Sequence, residues 1–234
     1  MIRQTIFAVS DNESRPVYTG SLFEIDGDSL TVVAVDGYRL ALRREKVEAG
    51  NMENCTFIVP GAALSDVEKL CGDTDEAVDI TVGTKHISFA IGGTVLVSRR
   101  LEGEFLNYKK SIPSDFAITA EIERDALAQA VSRVSLIIDE KTKHPLRVNV
   151  GDDALDISCQ TGRGSAADQC AATVSGGGLM IGFNNRYLLD ALKAAPSDTV
   201  RIGFNTSSSP CVILPPDGSD SFSYMILPVR LRAD

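Results

Sequence analysis

Hydrophobic and polar residues alternate with a period of two along most of this chain, a pattern that is typical of β-strands. Strands are predicted at residues 18–25, 30–35, 38–43, 55–59, 77–82, 86–91, 94–101, 116–121, 146–150, 154–159, 168–174, 179–183, 200–204, 211–214 and 222–227. Apolar residues with helical spacing predict helices at residues 1–10, 60–71, 125–135 and 184–195. The pattern therefore predicts an α+β protein in which helices pack against antiparallel sheets.

The most distinctive local signal is Asp36-Gly37, which lies between two apolar, strand-like runs. This dipeptide favours a type I′ hairpin turn, because Gly and Asp tolerate the positive φ angles that such a turn needs. Strand alternation would then place Tyr38, Leu40 and Leu42 on one face of the returning strand. Taken alone, the stretch is most simply an ordinary β-hairpin.

The order of predicted elements occurs twice, which indicates an internal duplication. Gly27-Asp28 matches Gly151-Asp152 and Pro60 matches Asn184, each with an offset of 124 residues. An aperiodic stretch at 102–113 separates the copies. The predicted domains are therefore residues 1–113 and 114–234.

The duplication also predicts a missing element in the first copy. Ser10 aligns with Ser135, so Met1 falls near Ala126 and nothing matches the strand at 116–121. We therefore expect the chain to be a fragment or the product of an internal start. An absent strand would leave an unpaired sheet edge in the first domain.

Composition narrows the possible functions. The 234 residues are 44% hydrophobic and carry a net charge of -9, which argues against a broad basic surface that grips nucleic acid. The five cysteines are odd in number and form no CxxC pair, so neither a disulfide framework nor a metal site is predicted. No signal peptide or membrane span is predicted, and we expect a cytoplasmic protein without a cofactor.

No stretch of the chain carries a recognisable catalytic motif. Gly176 to Gly178 precedes a strand instead of a helix, so a hairpin turn explains it better than a phosphate-binding loop. An enzyme would need a cluster such as Cys170 near His144 with an orienting carboxylate, and the spacing does not propose one. We therefore expect a protein that is not an enzyme.

Four ordered motifs, which together span the chain, resemble the bacterial sliding clamp, the β subunit of DNA polymerase III. They are residues 20–24 with 35–41, residues 102–108 with 112–113, residues 181–184 with 187–192, and residues 224–231. Members of that family have three domains, and the motifs resemble those of the second and third. The resemblance implies two tandem DNA-clamp domains, each with two helices packed against antiparallel sheets.

The family resemblance also implies a function. Clamps act as processivity factors in DNA replication: they encircle double-stranded DNA, tether the replicative polymerase and perform no bond chemistry. The implied partners are DNA, the DNA polymerase III α subunit, the clamp loader and other clamp-binding proteins. In this family, two subunits meet head to tail, first domain against third, and so close a ring. The motifs of this chain resemble only the second and third domains, so homo-oligomerisation by that route is in question. The alternative is a client-binding scaffold that does not encircle DNA.

Clients of this family insert a short segment, ending in Leu and Phe or similar residues, into a groove between the second and third domains. By motif position, the implied groove residues are Tyr18, Val35, Gly37, Tyr38, Arg39, Leu40, Leu106, Lys110, Asn184, Tyr187, Pro210, Met225, Ile226, Leu227, Pro228, Val229 and Arg230. Val35, Tyr38 and Leu106 replace the usual Thr, His and Pro. Residues 232–234 extend beyond the usual C-terminal strand and could partly cover the groove. Each apolar residue alone would also fit a plain sheet core.

Four basic residues on predicted helices are candidates to face DNA: Arg3, Lys69, Arg133 and Lys193. Each fits a solvated helix face equally well. The acidic neighbours Asp66, Glu68 and Asp190 favour weak contacts with phosphate.

Overall fold

A computed structural model describes residues 1–48, 53–72, 74–139 and 144–231. The chain divides into two compact units, Met1–Asn107 and Tyr108–Asp234. The division lies after Asn107, whereas the sequence placed it after residue 113. Among the described residues, no helix combines the length and the apolar character that a membrane span requires.

The described residues of unit 1 form two antiparallel sheets, one α-helix and three short 3-10 helices. Its strands and helix are β1 (Gly20–Asp26), β2 (Ser29–Val35), β3 (Arg39–Lys46), β4 (Cys55–Pro60), α1 (Gly61–Cys71), β5 (Asp79–Val82), β6 (His86–Ile91) and β7 (Thr94–Arg99). The 3-10 helices are Ile2–Gln4, Ile6–Ala8 and Pro16–Thr19. Within this unit the sheet orders are β4-β1-β2-β3 and β5-β6-β7.

The core of unit 1 lies between α1 and the two sheets. Leu64 and Val67, one turn apart on α1, are 0% and 1% exposed. They belong to the same buried cluster as Phe23 and Phe57, whose rings stack with centroids 5.4 Å apart. The helix ends before Gly72, whose φ of 56° is one that a side chain disfavours.

Unit 2, in the part that the structure describes, has a longer sheet and two long helices. Its elements are α2 (Tyr108–Ser111), β8 (Ile118–Glu123), α3 (Arg124–Ser135), β9 (Leu146–Val150), β10 (Ala154–Thr161), β11 (Gly164–Ser175), β12 (Leu179–Phe183), α4 (Asn185–Ala194), β13 (Thr199–Phe204), β14 (Cys211–Leu214) and β15 (Phe222–Ile226). Within this unit the strand order is β12-β9-β10-β11-β8-β13-β14-β15.

The two helices α3 and α4 pack on the core of unit 2 through apolar stripes. Leu127 and Val131 of α3 are 1% and 0% exposed, and Leu188 and Leu192 of α4 are 3% and 0% exposed. The i, i+4 spacing of each pair places both side chains on one helix face. The predicted α+β class with helices on antiparallel sheets is confirmed.

The structure corrects three local predictions. Residues 1–10 form two 3-10 turns in place of an α-helix, since so short a helix has few internal hydrogen bonds to offset its nucleation cost. Tyr18 lies in a 3-10 helix and not in the first strand. The stretch at 102–113, predicted to be irregular, contains α2. In β3, the consecutive residues Leu40, Ala41 and Leu42 are all buried, so both faces of the strand are covered.

The hairpin turn shifts by one residue, and the repeat offset becomes 125 at β1 and β9, while it stays 124 at the N-caps of α1 and α4, Pro60 and Asn184. Val35 pairs with Leu40, so Gly37 and Tyr38, and not Asp36-Gly37, are the central residues of the turn. An offset of 125 superposes the buried Phe23 and Ile25 of β1 on the buried Val148 and Val150 of β9, whereas an offset of 124 would superpose both on the half-buried Arg147 and Asn149. A slip of one residue exchanges the two faces of a strand, so burial decides the register.

Candidate functional site

The turn between β2 and β3 of unit 1 is held rigidly by one carboxylate. Asp36 Oδ1 accepts the backbone N–H groups of Tyr38 and Arg39 at 2.8 and 3.0 Å, and Oδ2 accepts Arg39 Nε at 2.9 Å. The Arg39 guanidinium also lies over the ring of Phe7, 5.4 Å from its centroid. Gly37 has a φ of 95°, which favours glycine. Tyr38, 63% exposed, is thus presented to solvent on a fixed backbone.

The other candidate groove residues of unit 1 differ in exposure. Val35 and Leu40 are 5% and 1% exposed, so they belong to the sheet core. Tyr18 is half-buried and packs edge-to-face against Phe105, with ring centroids 5.5 Å apart. Leu106 is also half-buried. Sequence reasoning missed Phe7 and Phe105, because nothing in their local pattern indicates a ring contact distant along the chain.

Unit 2 contains a cavity of about 470 Å³ at the start of α4. The helix begins here because the Asn184 side chain accepts the backbone N–H of Arg186 at 2.9 Å, as an N-cap residue does. The walls of the cavity are Ile138, Asp139, His144, Pro145, Phe183, Asn184, Asn185, Arg186, Tyr187 and Val229. Three candidate groove residues, Asn184, Tyr187 and Val229, therefore line one cavity that combines apolar walls with polar side chains.

The segment after β15 brings Val229 to this cavity. The backbone N–H of Val229 donates to the carbonyl of Gly182 at 2.8 Å. A Cβ atom on Gly182 would lie 2.6 Å from the Val229 carbonyl oxygen and 2.6 Å from a methyl group of Leu231. The close approach of the two backbones therefore requires glycine at position 182.

The remaining candidate groove residues of unit 2 lie outside the cavity wall. Met225 and Ile226 are buried residues of β15, whereas Leu227 is 36% exposed. Pro210 and Pro228 are half-buried, and Lys110 and Arg230 are exposed. The predicted extension at residues 232–234 lies outside the described residues.

Sequence reasoning also missed part of the cavity wall. Ile138, His144 and Pro145 come from the connection between α3 and β9, far from α4 along the chain. This connection has no periodicity that could have indicated its position. Only the packing of unit 2 brings it to the start of α4.

Three of the four candidate DNA-facing residues form ion pairs. Arg3 Nε lies 2.8 Å from Glu68, Lys69 Nζ lies 3.2 Å from Asp66, and Arg133 Nε lies 2.6 Å from Asp168. The Arg133 guanidinium lowers the pKa of Asp168, and the backbone N–H of Gln169 adds to this effect. Lys193 is exposed in the last turn of α4. The paired carboxylates reduce the attraction that these cations offer to phosphate.

The described residues do not assemble a nucleophilic or metal site. No group of three or more His, Cys, Asp or Glu side chains among them has the geometry to hold a metal ion. Cys170 Sγ donates to the backbone carbonyl of Ala126 at 3.4 Å, and burial raises the pKa of its thiol. His144 lines the α4 cavity, whose wall does not include Cys170. These positions give no support to a Cys170 and His144 catalytic pair.

Two family models match the chain almost from end to end. "DNA polymerase III beta subunit, central domain" matches residues 1–107, and "DNA polymerase III beta subunit, C-terminal domain" matches residues 109–230. A beta sliding clamp of Staphylococcus aureus is 35% identical over 232 residues, which are 98% of this chain and 61% of the relative. A beta sliding clamp of Staphylococcus epidermidis is 34% identical over the same shares.

The solved structures that this chain resembles are also sliding clamps. The sliding clamp of Bacillus subtilis matches with a TM-score of 0.94 and 29% identity, over 99% of this chain and 61% of that one. The DNA polymerase III β subunit of Pseudomonas aeruginosa matches with a TM-score of 0.92 and 28% identity, over 98% and 63%. The chain thus spans about three-fifths of the length of these relatives.

Proposed function

Because this chain belongs to the family of DNA polymerase III β subunits, we propose that it acts in DNA replication as a processivity factor. In this role it tethers the polymerase to double-stranded DNA in the cytoplasm and has no catalytic activity of its own. The observation that carries the proposal is the match of both family models, which together cover residues 1–107 and 109–230. The sliding-clamp relatives support it over 98% of the chain.

We further propose that the α4 cavity receives the apolar end of a client peptide, such as one from the polymerase α subunit or the clamp loader. Its volume of about 470 Å³ lies in the range of ligand pockets, about 300–1,000 Å³. Phe183, Tyr187 and Val229 offer apolar surface, while Asn184 and Arg186 offer polar groups that would orient a peptide. This combination is typical of a specific peptide-anchoring site.

The expected affinity is modest. Burying the Leu and Phe side chains of a client contributes roughly 1.5–3 kcal/mol each. The loss of freedom of the bound peptide offsets part of this gain. We therefore expect a dissociation constant on the order of micromolar.

The test is the binding of a fluorescent peptide of the type Gln-x-Leu-x-Leu/Phe, measured by anisotropy. Val229→Asp should weaken binding at least tenfold, because it places a charge in the apolar wall. Val97→Asp is the matched control, since Val97 is an exposed valine of unit 1, 63% accessible. Arg39→Ala and Leu227→Ala test the motif residues outside the cavity. Equal affinity of the Val229→Asp variant and the unaltered chain would refute the cavity as the client site.

A second candidate function is a client-binding scaffold that does not encircle DNA. The ion pairs of Arg3, Lys69 and Arg133 favour it, because they leave little uncompensated positive charge for DNA. Light scattering and retention on circular duplex DNA separate the two functions. A homo-oligomer that stays on circular DNA and slides off after linearisation supports the clamp; a client-binding monomer without retention supports the scaffold.

A further inference from the structure

The polar side chains of the α4 cavity offer several hydrogen-bond donors. Asn184 Oδ1 accepts the backbone N–H of Arg186 at 2.9 Å, which fixes the end of the amide that faces the helix. The other end, Nδ2, carries two N–H donors and remains for a ligand. His144, on the connection between α3 and β9, adds at least one N–H donor in either protonation state. The cavity therefore suits a ligand that brings hydrogen-bond acceptors.

Arg186 supplies the strongest donor of this cavity. It lines the wall and is exposed to solvent. Arg124, Arg133 and Arg163 of the same unit form ion pairs, whereas no ion pair with a described carboxylate involves Arg186. A guanidinium carries five N–H donors in a planar fork that matches the two oxygens of a carboxylate. Arg186 is therefore positioned to bind an acidic group of a ligand.

The negative charge in the cavity wall already has a cation beside it. Asp139 is the only acidic residue among the described residues of the wall, and its side chain is 32% exposed. Its Oδ2 accepts Arg163 Nη2 at 3.1 Å. Arg163 lies outside the wall, in the turn between β10 and β11, where Thr161 Oγ1 accepts its backbone N–H at 3.1 Å. Because Arg163 offsets Asp139, Arg186 leaves the described wall with an excess of positive charge.

The net charge of the whole chain, -9, opposes an acidic ligand only weakly at this cavity. At physiological ionic strength the Debye length is about 8 Å, so exposed charges farther away than this are largely screened. A carboxylate in direct contact with a guanidinium lies well inside this distance. The charge of the cavity wall, and not the net charge of the protein, therefore decides which ligand charge is preferred.

We propose that the α4 cavity selects client segments with an Asp or Glu within two residues of the apolar side chain that enters it, and that Arg186 determines this specificity. The apolar side chain packs against Phe183 and Val229, while the carboxylate accepts from the Arg186 guanidinium and from Asn184 Nδ2. This inference rests on the proposed binding of clients at this cavity and adds to it the charge of the client.

The spacing of the acidic residue follows from the reach of the groups involved. Two residues of an extended segment span at most about 7 Å, a distance that the long side chain of Arg186 bridges. A Lys at the same position of the client would instead bring a like charge to Arg186, which costs binding free energy. An Asn there keeps the shape of Asp without its charge. Acidic, neutral and basic clients should therefore differ in affinity in that order.

The test compares three fluorescent peptides of the type Gln-x-Leu-x-Leu/Phe, which carry Asp, Asn or Lys directly before the final apolar residue. Each is titrated into the full chain and followed by anisotropy. The Asp peptide should bind roughly three- to tenfold more tightly than the Asn peptide, since a charge-assisted hydrogen bond is gained at a partly exposed site. The Lys peptide should bind most weakly.

Protein variants assign the preference to one side chain. Arg186→Gln should bring the affinities for the Asp and Asn peptides to within about twofold of each other. Its affinity for the Asn peptide should stay close to that of the unaltered chain, which also reports that the variant is folded. Arg186→Lys should keep part of the preference, because it retains the charge and loses the planar fork. Arg99→Gln is the matched control, since Arg99 is an exposed arginine of β7 in unit 1, and it should keep the full preference.

The outcomes separate this inference from the proposed function. Equal affinity of the unaltered chain for the Asp and Asn peptides would overturn the inference, and so would a preference that survives Arg186→Gln. In both cases the proposed function stands if Val229→Asp still weakens the binding of both peptides. Binding of none of the three peptides would overturn the inference and the proposed client site together.

Discussion

The same apolar pattern forms different secondary structure near the start of the two units. Ile2, Ile6 and Val9 of unit 1 correspond to Leu127, Val131 and Val134 of unit 2 at the offset of 125. In unit 2 these residues belong to a helix of 12 residues that continues directly from β8. In unit 1 the corresponding stretch forms 3-10 turns of three residues each. The apolar pattern alone therefore does not secure a helix, because the contacts that a helix makes must offset the cost of its nucleation.

The largest expected difference between the units concerns their thiols. Burial raises the pKa of Cys211 to about 12, so at pH 8 its thiolate is about a thousandfold rarer than that of an ordinary thiol. Cys55 and Cys71 of unit 1 are only half-buried. We expect a maleimide to label these two first and Cys211 only after unfolding, as mass spectrometry of labelled peptides would show. Labelling of Cys211 at the rate of Cys71 in the native protein would contradict this.

The next difference concerns the leading apolar residue of each copy. Leu127→Ala should lower the free energy of unfolding of unit 2 by about 2–5 kcal/mol, because Leu127 is 1% exposed and its removal leaves a cavity. Ile2→Ala should cost about 1 kcal/mol or less, because Ile2 is half-buried and already borders a cavity. Hydrogen exchange during urea unfolding reports each unit separately. Equal costs would show that the 3-10 turns pack as tightly as α3.

A smaller effect is expected at the corresponding hairpin turns. Asp36→Ala should cost roughly 1.5–3 kcal/mol, since the carboxylate accepts two backbone N–H groups and pairs with Arg39. In unit 2 the neutral Thr161 hydroxyl accepts the N–H of Arg163 at 3.1 Å, and Thr161→Ala should cost roughly 0.5–1 kcal/mol. Thermal unfolding of both variants, with Asp36→Asn as the control that keeps an acceptor, measures the difference. A larger loss for Thr161→Ala would reverse the comparison.

The smallest effect is the pH dependence of an exposed ion pair in unit 2. Arg133 lowers the pKa of Asp168 below its ordinary value near 3.8. A lowered folded pKa means that Asp168 stabilises the fold above its unfolded pKa and loses this contribution as the pH falls through the folded pKa. The loss therefore lies below about pH 4, and it should be slight because the pair is exposed to solvent. Arg133→Ala should return the Asp168 pKa, followed by NMR, toward its ordinary value, whereas Arg3→Ala should leave it unchanged.

Alternation of apolar and polar residues predicted most strands of both units, including β6, β9, β12 and β14 at their observed bounds. Strand period and burial are local properties, so the sequence carries them directly. The four-residue helix α2 was not predicted, because one turn is too short to show a helical period. The repeat was visible in the sequence, but its register at β1 and β9 was uncertain by one residue until the burial of Phe23 and Ile25 matched that of Val148 and Val150.

The candidate site was predictable only in part. Motif position identified Asn184, Tyr187 and Val229, and the structure brings these three to one cavity. It could not identify His144 and Pro145, because they reach the cavity through a connection without periodicity. Nor could it show that Val35 and Leu40 are buried, since an apolar residue of a motif can face either the core or a partner.

By itself, the sequence determined the α+β class, the duplicated order of elements and the family resemblance. These depend on period, spacing and motif order, which are written along the chain. Only the tertiary structure decided that the first ten residues form 3-10 turns, that a cavity of about 390 Å³ lies beside β5, and that α4 begins at a second cavity. The reason is physical: a cavity is a property of how distant residues pack, and no local pattern specifies the space that packing leaves unfilled.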